Sequence, residues 1–251
     1  LYGTSHPIIS DSYSNLAGFY FDIEDYSNSK KFYTKSYDIL CDIYGESYYE
    51  LIPVLQKIGG VYEKIENADA AIGKYEEALK ISLNHYGELH IKTAKIYQEI
   101  GQFLTNMKKD FDKAEVSLKK ALNISAKVLN TDDINLLFSK IFYYNNQFER
   151  IILMVDNENY DEAIIGFKKL LKKPFFKEEK RQGGIKFYLG ICYDKIGNYD
   201  EALACLTKSA EIRKNMKGLK DKSTQKSISE TLRLAKKLGK EDGLPEWIKS
   251  R

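Results

Sequence analysis

Residues 44–87, YGESYYELIPVLQKIGGVYEKIENADAAIGKYEEALKISLNHYG, run from one Tyr-Gly pair to the next and decide the fold. The same pair stands at Tyr2-Gly3, so Gly3, Gly45 and Gly87 are spaced 42 residues apart, and a fourth copy follows 43 residues later as Leu129-Asn130. Each copy closes a helix-like stretch. Asparagine is the residue besides glycine that tolerates the left-handed conformation at a helix end. A fixed period of roughly 20–50 residues is the mark of stacked structural units, a solenoid.

Other positions keep the same period. Ala17, Gly59 and Gly101 are small, and each follows a branched aliphatic residue (Leu16, Ile58, Ile100). Glycine inside a helix costs up to about 1 kcal/mol of propensity, so its use here predicts close approach of a second helix. Ser29, Ala71 and Ala114 lie twelve or thirteen residues on, and Ser36, Ala78 and Ala121 seven beyond those. Tyr20, Tyr62 and Leu104 fill the gaps on the first helix, and Tyr33, Tyr75 and Leu118 on the second. The unit is a helix-turn-helix with small residues at the crossing and large ones beside it.

Phe187-Tyr-Leu189-Gly190-Ile-Cys-Tyr193, then Gly197-Asn-Tyr199-Asp-Glu-Ala202, Leu206 and Ser209-Ala210, follow the L-G-x-x-Y…A pattern of tetratricopeptide repeats. Tyr160-Asp-Glu-Ala163 with Phe167 copies the later half. Over residues 1–216 the chain therefore resembles the tetratricopeptide repeat family. The 42-residue period, the Gly-x-x-His linkers (Gly3 to His6, Gly87 to His90) and Asn15-Leu16-Ala17 resemble its kinesin light chain and nephrocystin branch. Tyr48 and Asp133 depart from that histidine. The resemblance implies an all-α, right-handed superhelical solenoid of about five helix pairs. Its repeats fall at 4–45, 46–87, 88–130, 131–173 and 174–216, and a capping helix and tail follow over 217–251.

The fourth unit is irregular. Ile134, Leu137, Ile141, Tyr144, Phe148, Ile151 and Val155 alternate by three and four, which predicts one helix of about 23 residues. Tyr144 stands where the small residue belongs, so a local change of superhelical course is expected there. Residues 221–239 read as a basic amphipathic helix with Ile228, Leu232, Ala235 and Leu238 on one side, covering the apolar end of the array. Leu244-Pro-Glu-Trp247-Ile reads as a short anchored tail. Leu1-Tyr2-Gly3 reads as the tail of a preceding repeat, so a fragment of a longer protein is expected.

Hydrophobic residues make up 43% and charged residues 30% of the chain, and no apolar run approaches the ~20 residues of a membrane span. Three cysteines (Cys41, Cys192, Cys205) form no C-x-x-C pair, which fits small buried side chains in a reducing compartment. Metal, nucleophile and phosphate-loop patterns are absent, so no enzyme, cofactor or metal site is expected. His6 and His90 read as linker caps, with Pro7 in a favoured first-turn position, and His85 sits near a helix end. Adjacent acids such as Glu76-Glu77 and Glu178-Glu179 do not face each other on a helix and read as solvated surface. Gly183-Gly184 reads as a weakened helix start.

In the tetratricopeptide family the first helix of each pair lines a concave groove. Alignment carries that face onto Asp11, Ser14, Asn15, Gly18, Phe21 and Asp22, then Gln56, Gly60, Glu63 and Lys64, then Lys95, Gln98, Gln102, Thr105 and Asn106. Amides and small polar groups of this kind suit the backbone of an extended peptide. Ser14, Gly18, Lys57, Lys95 and Glu99 occupy the positions that grip a chaperone carboxylate in some members. Only Lys95 matches, so no chaperone-tail clamp is expected.

Residues 1–90 hold 14 acids and 7 bases, net −7, and residues 91–251 hold 22 acids and 32 bases, net +10. The acidic part favours a basic partner segment. Residues 216–251 carry ten bases and five acids, interleaved, and only Trp247 could stack a base, so neither nucleic acid nor membrane is an expected partner. The resemblance thus implies a non-catalytic protein–protein interaction scaffold or adaptor whose groove takes a peptide or helix. Cytoskeletal, motor-cargo and ciliary members of the branch are the models, with a cytoplasmic location and membership of a larger complex. Two alternatives stay open: a structural building block that uses its convex and edge surfaces, and a peptide-sensing receptor.

Overall fold

The computed structural model describes residues 6–249, so Leu1 and the Tyr2-Gly3 pair lie outside the described residues. Every regular element described is helical. Contacts divide the chain into two units, residues 1–146 and 147–251. The first unit is built from α1 (Pro7–Asp22), α2 (Tyr26–Tyr44), α3 (Leu51–Lys64), α4 (Ala68–Tyr86), α5 (Ile91–Phe103) and α6 (Phe111–Val128). The division falls inside α7 (Ile134–Asp156), whose 23 residues match the length its spacing predicts. The second unit continues with α8 (Tyr160–Leu171), α9 (Gly183–Lys195), α10 (Tyr199–Lys217), α11 (Lys222–Leu238) and the short α12 (Glu246–Lys249). No described helix is long and apolar enough to cross a membrane.

Polar side-chain caps begin α1, α2, α4, α5 and α6, whereas α3 has none. His6 and His90 each turn Nδ1 to accept a backbone N–H, from Ile8 at 3.2 Å and from Lys92 at 3.1 Å. Asp25, Asn67 and Asp110 cap the second helices in the same way, accepting from Asn28, Ala70 and Lys113. The residue before each of these caps, Glu24, Glu66 or Lys109, is left-handed, with φ of 63°, 58° and 52°. The Tyr-Gly ends differ from the sequence expectation. Gly45 and Gly87 have φ/ψ of 84°/163° and 80°/177°, an extended mirror region that only glycine enters freely. Asparagine tolerates the left-handed helical region but not this one. Leu129-Asn130 instead leaves α6 with Leu129 extended at −117°/153°, its N–H bonded to Ser125 O as the Gly45 and Gly87 N–H groups are bonded to Cys41 O and Leu83 O.

Two glycines in the first unit set the helix crossings. A Cβ on Gly59 would lie 2.8 Å from Cε1 of Tyr75, and one on Gly101 would lie 2.4 Å from Cγ of Leu118 and 3.3 Å from the Ala114 carbonyl. The close approach expected at Gly59 and Gly101 is present, and the side chain folded over each glycine comes from the second helix. In the second unit Gly190 repeats the arrangement against Leu206.

The third unit carries one residue more than the first two, and the structure shows where it goes. Asp25 N–H bonds to Tyr20 O and Asn67 N–H to Tyr62 O, each five residues back, whereas Asp110 N–H bonds to Leu104 O, six back. Residues 104–108 widen into a π turn that continues α5 and absorbs the insertion. Thr105 points inward from this turn; its hydroxyl donates to Oδ1 of buried Asn146 at 2.8 Å.

Successive pairs are joined by buried hydroxyls as well as by apolar contact. Ser82 meets Thr93 at 2.8 Å, Ser125 meets Ser139 at 3.0 Å, and in the second unit Ser209 meets Ser227 at 3.1 Å. Ser227 lies on α11, which packs on α10 through Thr224, Ser227, Ile228, Thr231, Leu234 and Ala235. Leu234 thus joins the buried stripe read from sequence, while Leu232 and Leu238 stay half-buried. Leu244 and Ile248 of the tail are buried against α11 and α10.

Candidate functional site

In the first unit α1, α3 and α5 side by side line an open cavity of about 570 Å³. Its shape follows from the glycines. Gly18 and Gly60 leave its wall without side chains at equivalent positions, 42 residues apart. Tyr33 and Tyr75 reach over from α2 and α4 to fill part of that space. The Tyr33 hydroxyl comes 3.5 Å from where a Gly18 Cβ would stand, and the Tyr75 hydroxyl 4.0 Å from the equivalent point on Gly60. Phe21, Pro53 and Phe103 supply the other apolar wall.

Carboxylates face this cavity. Tyr75 Oη donates to Glu63 Oε1 at 2.7 Å, and Gln56 Nε2 donates to Glu99 Oε2 at 2.6 Å. Among the described residues neither acid has an ion-pair partner within 4 Å; both are half-buried and hydrogen-bonded to neutral donors. Burial raises the Glu63 pKa, against the Tyr75 hydrogen bond and the Lys64 charge. Burial also raises that of Glu99, reinforced by Glu63 and opposed by the Gln56 bond, Lys57 and Lys95. The Tyr75 hydroxyl is held far above its ordinary value by burial and by the Glu63 beside it. Asp22 lines the same cavity and raises Tyr33, whose shift comes first from burial. The site is a partly desolvated anionic groove with aromatic walls.

The residues expected to face the groove divide. Gly18, Phe21, Asp22, Gln56, Gly60, Glu63, Gln102 and Asn106 line the cavity. Ser14 and Asn15 line a second opening along α1 that shares Gly18, Asp22, Tyr33, Pro53 and Lys57 with it. Lys95 lines a smaller cavity of about 350 Å³ with Tyr49, Tyr86 and Lys92. Asp11 and Lys64 are exposed and line none of these cavities, and Gln98 stands outside them, its Oε1 3.4 Å from the Ser139 hydroxyl. Thr105 needs correction: the π turn rotates it into the core, 5% exposed, where it is bonded to Asn146. Alignment on first helices alone missed Tyr33 and Tyr75, while Glu99 and Lys57, read there only as positions of a carboxylate clamp, line the cavity too. The recurring glycines at 18 and 60 were the available signal for the tyrosines.

Beside the smaller cavity, rings stack along the linkers. Tyr44 lies on Tyr48, Tyr49 on His85 and Tyr86 on His90, with centroids 4.2, 4.3 and 4.6 Å apart. His85 therefore serves packing as well as the helix end. Among the described residues no group of three or more His, Cys, Asp or Glu is arranged to hold a metal ion. The three cysteines are free, and burial pushes the Cys192 thiol up to about 11, away from a reactive thiolate.

Family models described as tetratricopeptide repeat match residues 8–84 and 51–127, and a second such model matches 184–216. No curated protein matches the chain. Among solved structures, it is similar to BtubC (BKLC) from P. vanneervenii, with 19% identity, TM-score 0.57, 84% of this chain and 82% of that one. It is also similar to a Podosopora anserina putative kinesin light chain with nearly identical TPR-like repeats. That match has 16% identity and TM-score 0.59 over 85% of this chain and 99% of that one. These likenesses show the fold. With the repeat models together spanning more than half of it, the chain belongs to the tetratricopeptide repeat family.

Proposed function

We propose that the groove of the first unit receives an extended segment of a partner protein and anchors it by a basic side chain. The observation that carries this is the pair Glu63 and Glu99, half-buried and held only by neutral donors. Buried charges are ordinarily paired, and an arriving guanidinium or ammonium supplies the missing charge. Phe21, Tyr33, Tyr75 and Phe103 offer apolar and ring faces to the stem of such a side chain. Gln102 and Asn106 stand in the same cavity with amide groups suited to a peptide backbone.

Tetratricopeptide repeats generally serve protein–protein interaction, and no catalytic constellation accompanies the groove. The reading is a non-catalytic scaffold within a larger assembly. The 42-residue period and the histidine caps favour the kinesin-light-chain-like branch, with its cargo-adaptor, cytoskeletal and ciliary roles. Repeats at 4–45, 46–87, 88–130, 131–173 and 174–216, with a cap over 217–251, complete this reading.

Calorimetric titration with extended peptides that differ only in one central residue, arginine or norleucine, tests the proposal. The arginine peptide should bind at least about tenfold more tightly, a difference of about 1.4 kcal/mol. The preference should vanish in Glu63→Gln/Glu99→Gln. Equal affinities in the unaltered protein would refute it.

A further inference from the structure

Glu63 and Glu99 have counterparts in the second unit, found through features that both units share. Gly59 lies under Tyr75 as Gly190 lies under Leu206, sixteen residues on in each case. The hydroxyl pair Ser82–Thr93 joins α4 to α5 as Ser209–Ser227 joins α10 to α11. Four residues beyond the two glycines stand Glu63 and Asp194, and six beyond Thr93 and Ser227 stand Glu99 and Arg233. The second unit therefore carries an arginine of its own where the first carries Glu99.

That arginine shows what the position can hold. Its Nη2 donates to Oδ2 of Asp194 and its Nε to Oε2 of Glu230 at 2.8 Å, so one guanidinium bridges two carboxylates. The Asp194 side chain is only 11% exposed, and Lys237 adds a looser contact at 4.0 Å. Leu206, in the place of Tyr75, offers Asp194 no hydroxyl. The first unit is the inverse. A tyrosine hydroxyl serves Glu63, a second acid stands where the arginine would be, and no cation among the described residues lies within 4 Å of either carboxylate.

Given the basic anchor proposed above, we infer that the side chain it takes is an arginine, whose guanidinium bridges Glu63 and Glu99 as Arg233 bridges Asp194 and Glu230, while the second unit's equivalent position is filled from within. The acceptors are in place: Tyr75 uses Oε1 of Glu63 and Gln56 uses Oε2 of Glu99, which leaves the other oxygen of each. The two acids are close enough for the Glu63 charge to raise the Glu99 pKa. A planar fork of five donors spans such a pair, and it sheds water more readily than a compact ammonium does. Ammonium groups already stand nearby without pairing. Lys57 lines the cavity and Lys95 lies one turn before Glu99 on α5, yet neither comes within 4 Å of the acids. Tyr75 and Phe103, with ring centroids 6.0 Å apart, supply faces on which a flat cation stacks.

Calorimetric titration of the whole chain with three extended peptides, carrying arginine, lysine or norleucine at one central position, tests this. Arginine should bind at least about tenfold more tightly than lysine. Glu63→Gln leaves a single carboxylate and should bring those two peptides within about threefold of each other. Glu99→Arg rebuilds the second unit's pair inside the first, so the arginine preference should be lost while the thermal melt stays at or above that of the unaltered chain. Arginine and lysine of equal affinity, both above norleucine, would overturn the arginine assignment and leave the basic anchor standing. Three equal affinities would overturn both. An arginine preference that survives either substitution also overturns the bridge.

Discussion

Adding one methyl group at two glycines of the first unit should shift stability in opposite directions. Gly73, in α4, has nothing within 4 Å of its Cβ position. Alanine there restores helix propensity and narrows the unfolded ensemble, a gain of about 0.5–1 kcal/mol. Gly101 is different. The new carbon would stand 2.4 Å from Leu118 Cγ, 2.7 Å from its Cδ2 and 3.3 Å from the backbone carbonyl of Ala114. Carbon atoms rest at about 3.5–4.0 Å, so the overlap exceeds 1 Å. Leu118 is 1% exposed, so it can yield only by displacing other core side chains. Overpacking of this kind costs about 1–3 kcal/mol, and the size of the overlap places it at the upper end. After the ~1 kcal/mol gained in propensity, a net loss of about 1–2 kcal/mol remains for Gly101→Ala. The two variants should then differ by roughly 2–3 kcal/mol, or about 4–12 °C in melting temperature for a protein of this size. Helical ellipticity at 222 nm through a thermal melt measures this, with a denaturant titration of the same variants as a check. In a Leu118→Ala background the Gly101→Ala change should lose most of its cost. If Gly101→Ala melts at or above the parent temperature, the helices do not cross at that glycine and the reasoning fails.

Three further outcomes follow from the same structure. Glu63 and Glu99 have raised pKa values when folded, so the native state keeps protons that the unfolded chain has released; stability should increase as pH falls through the raised values toward 4.5, and affinity for a basic peptide should decrease over the same window. Melts and titrations across that window check both signs, and Glu63→Gln/Glu99→Gln should flatten both dependences. Thr105→Val keeps the shape of the side chain but removes the hydroxyl that lies 2.9 Å from Gly101 O and 2.8 Å from Oδ1 of Asn146, 1% exposed, a loss of about 1–3 kcal/mol readable by denaturant titration. Glu66→Gly relieves a non-glycine residue at φ 58°, where Gly197 of the second unit already stands at 84°, and should raise stability by up to about 1 kcal/mol in the same measurement.

The repeating helices were legible because their signals are local. Tyr-Gly ends, histidine caps and small residues at the crossings each report a local backbone requirement. The 23-residue length of α7 was legible from its three-four spacing alone. The groove was read less well, and for definite reasons. Assigning it to first helices assumes that a second-helix side chain cannot reach past them, which holds only where the first helix carries a Cβ. At Gly18 and Gly60 it does not, and Tyr33 and Tyr75 come through. Thr105 was misplaced because a constant phase was carried along α5, whereas the helix changes its turn after Phe103. Asn130 was matched to glycine on tolerance of a positive φ, whereas α6 ends on Leu129 at φ −117° and asks for no such residue.

The widened turn at residues 104–108 has a consequence for how such arrays change over time. An insertion inside a straight helix would rotate every later side chain by about 100° and disrupt the contacts of all that follows. Here the surplus residue is spent within one turn, and α6 begins with its cap, its small residues and its seat on α5 unaltered. Insertions at this elbow can therefore be kept, and lineages can differ in repeat length without refitting the neighbouring repeats. Where one has been kept, the turn reorients one or two side chains: Thr105 goes inward here while Asn106 stays at the cavity. A single added codon at that place can alter the binding surface and leave the scaffold intact.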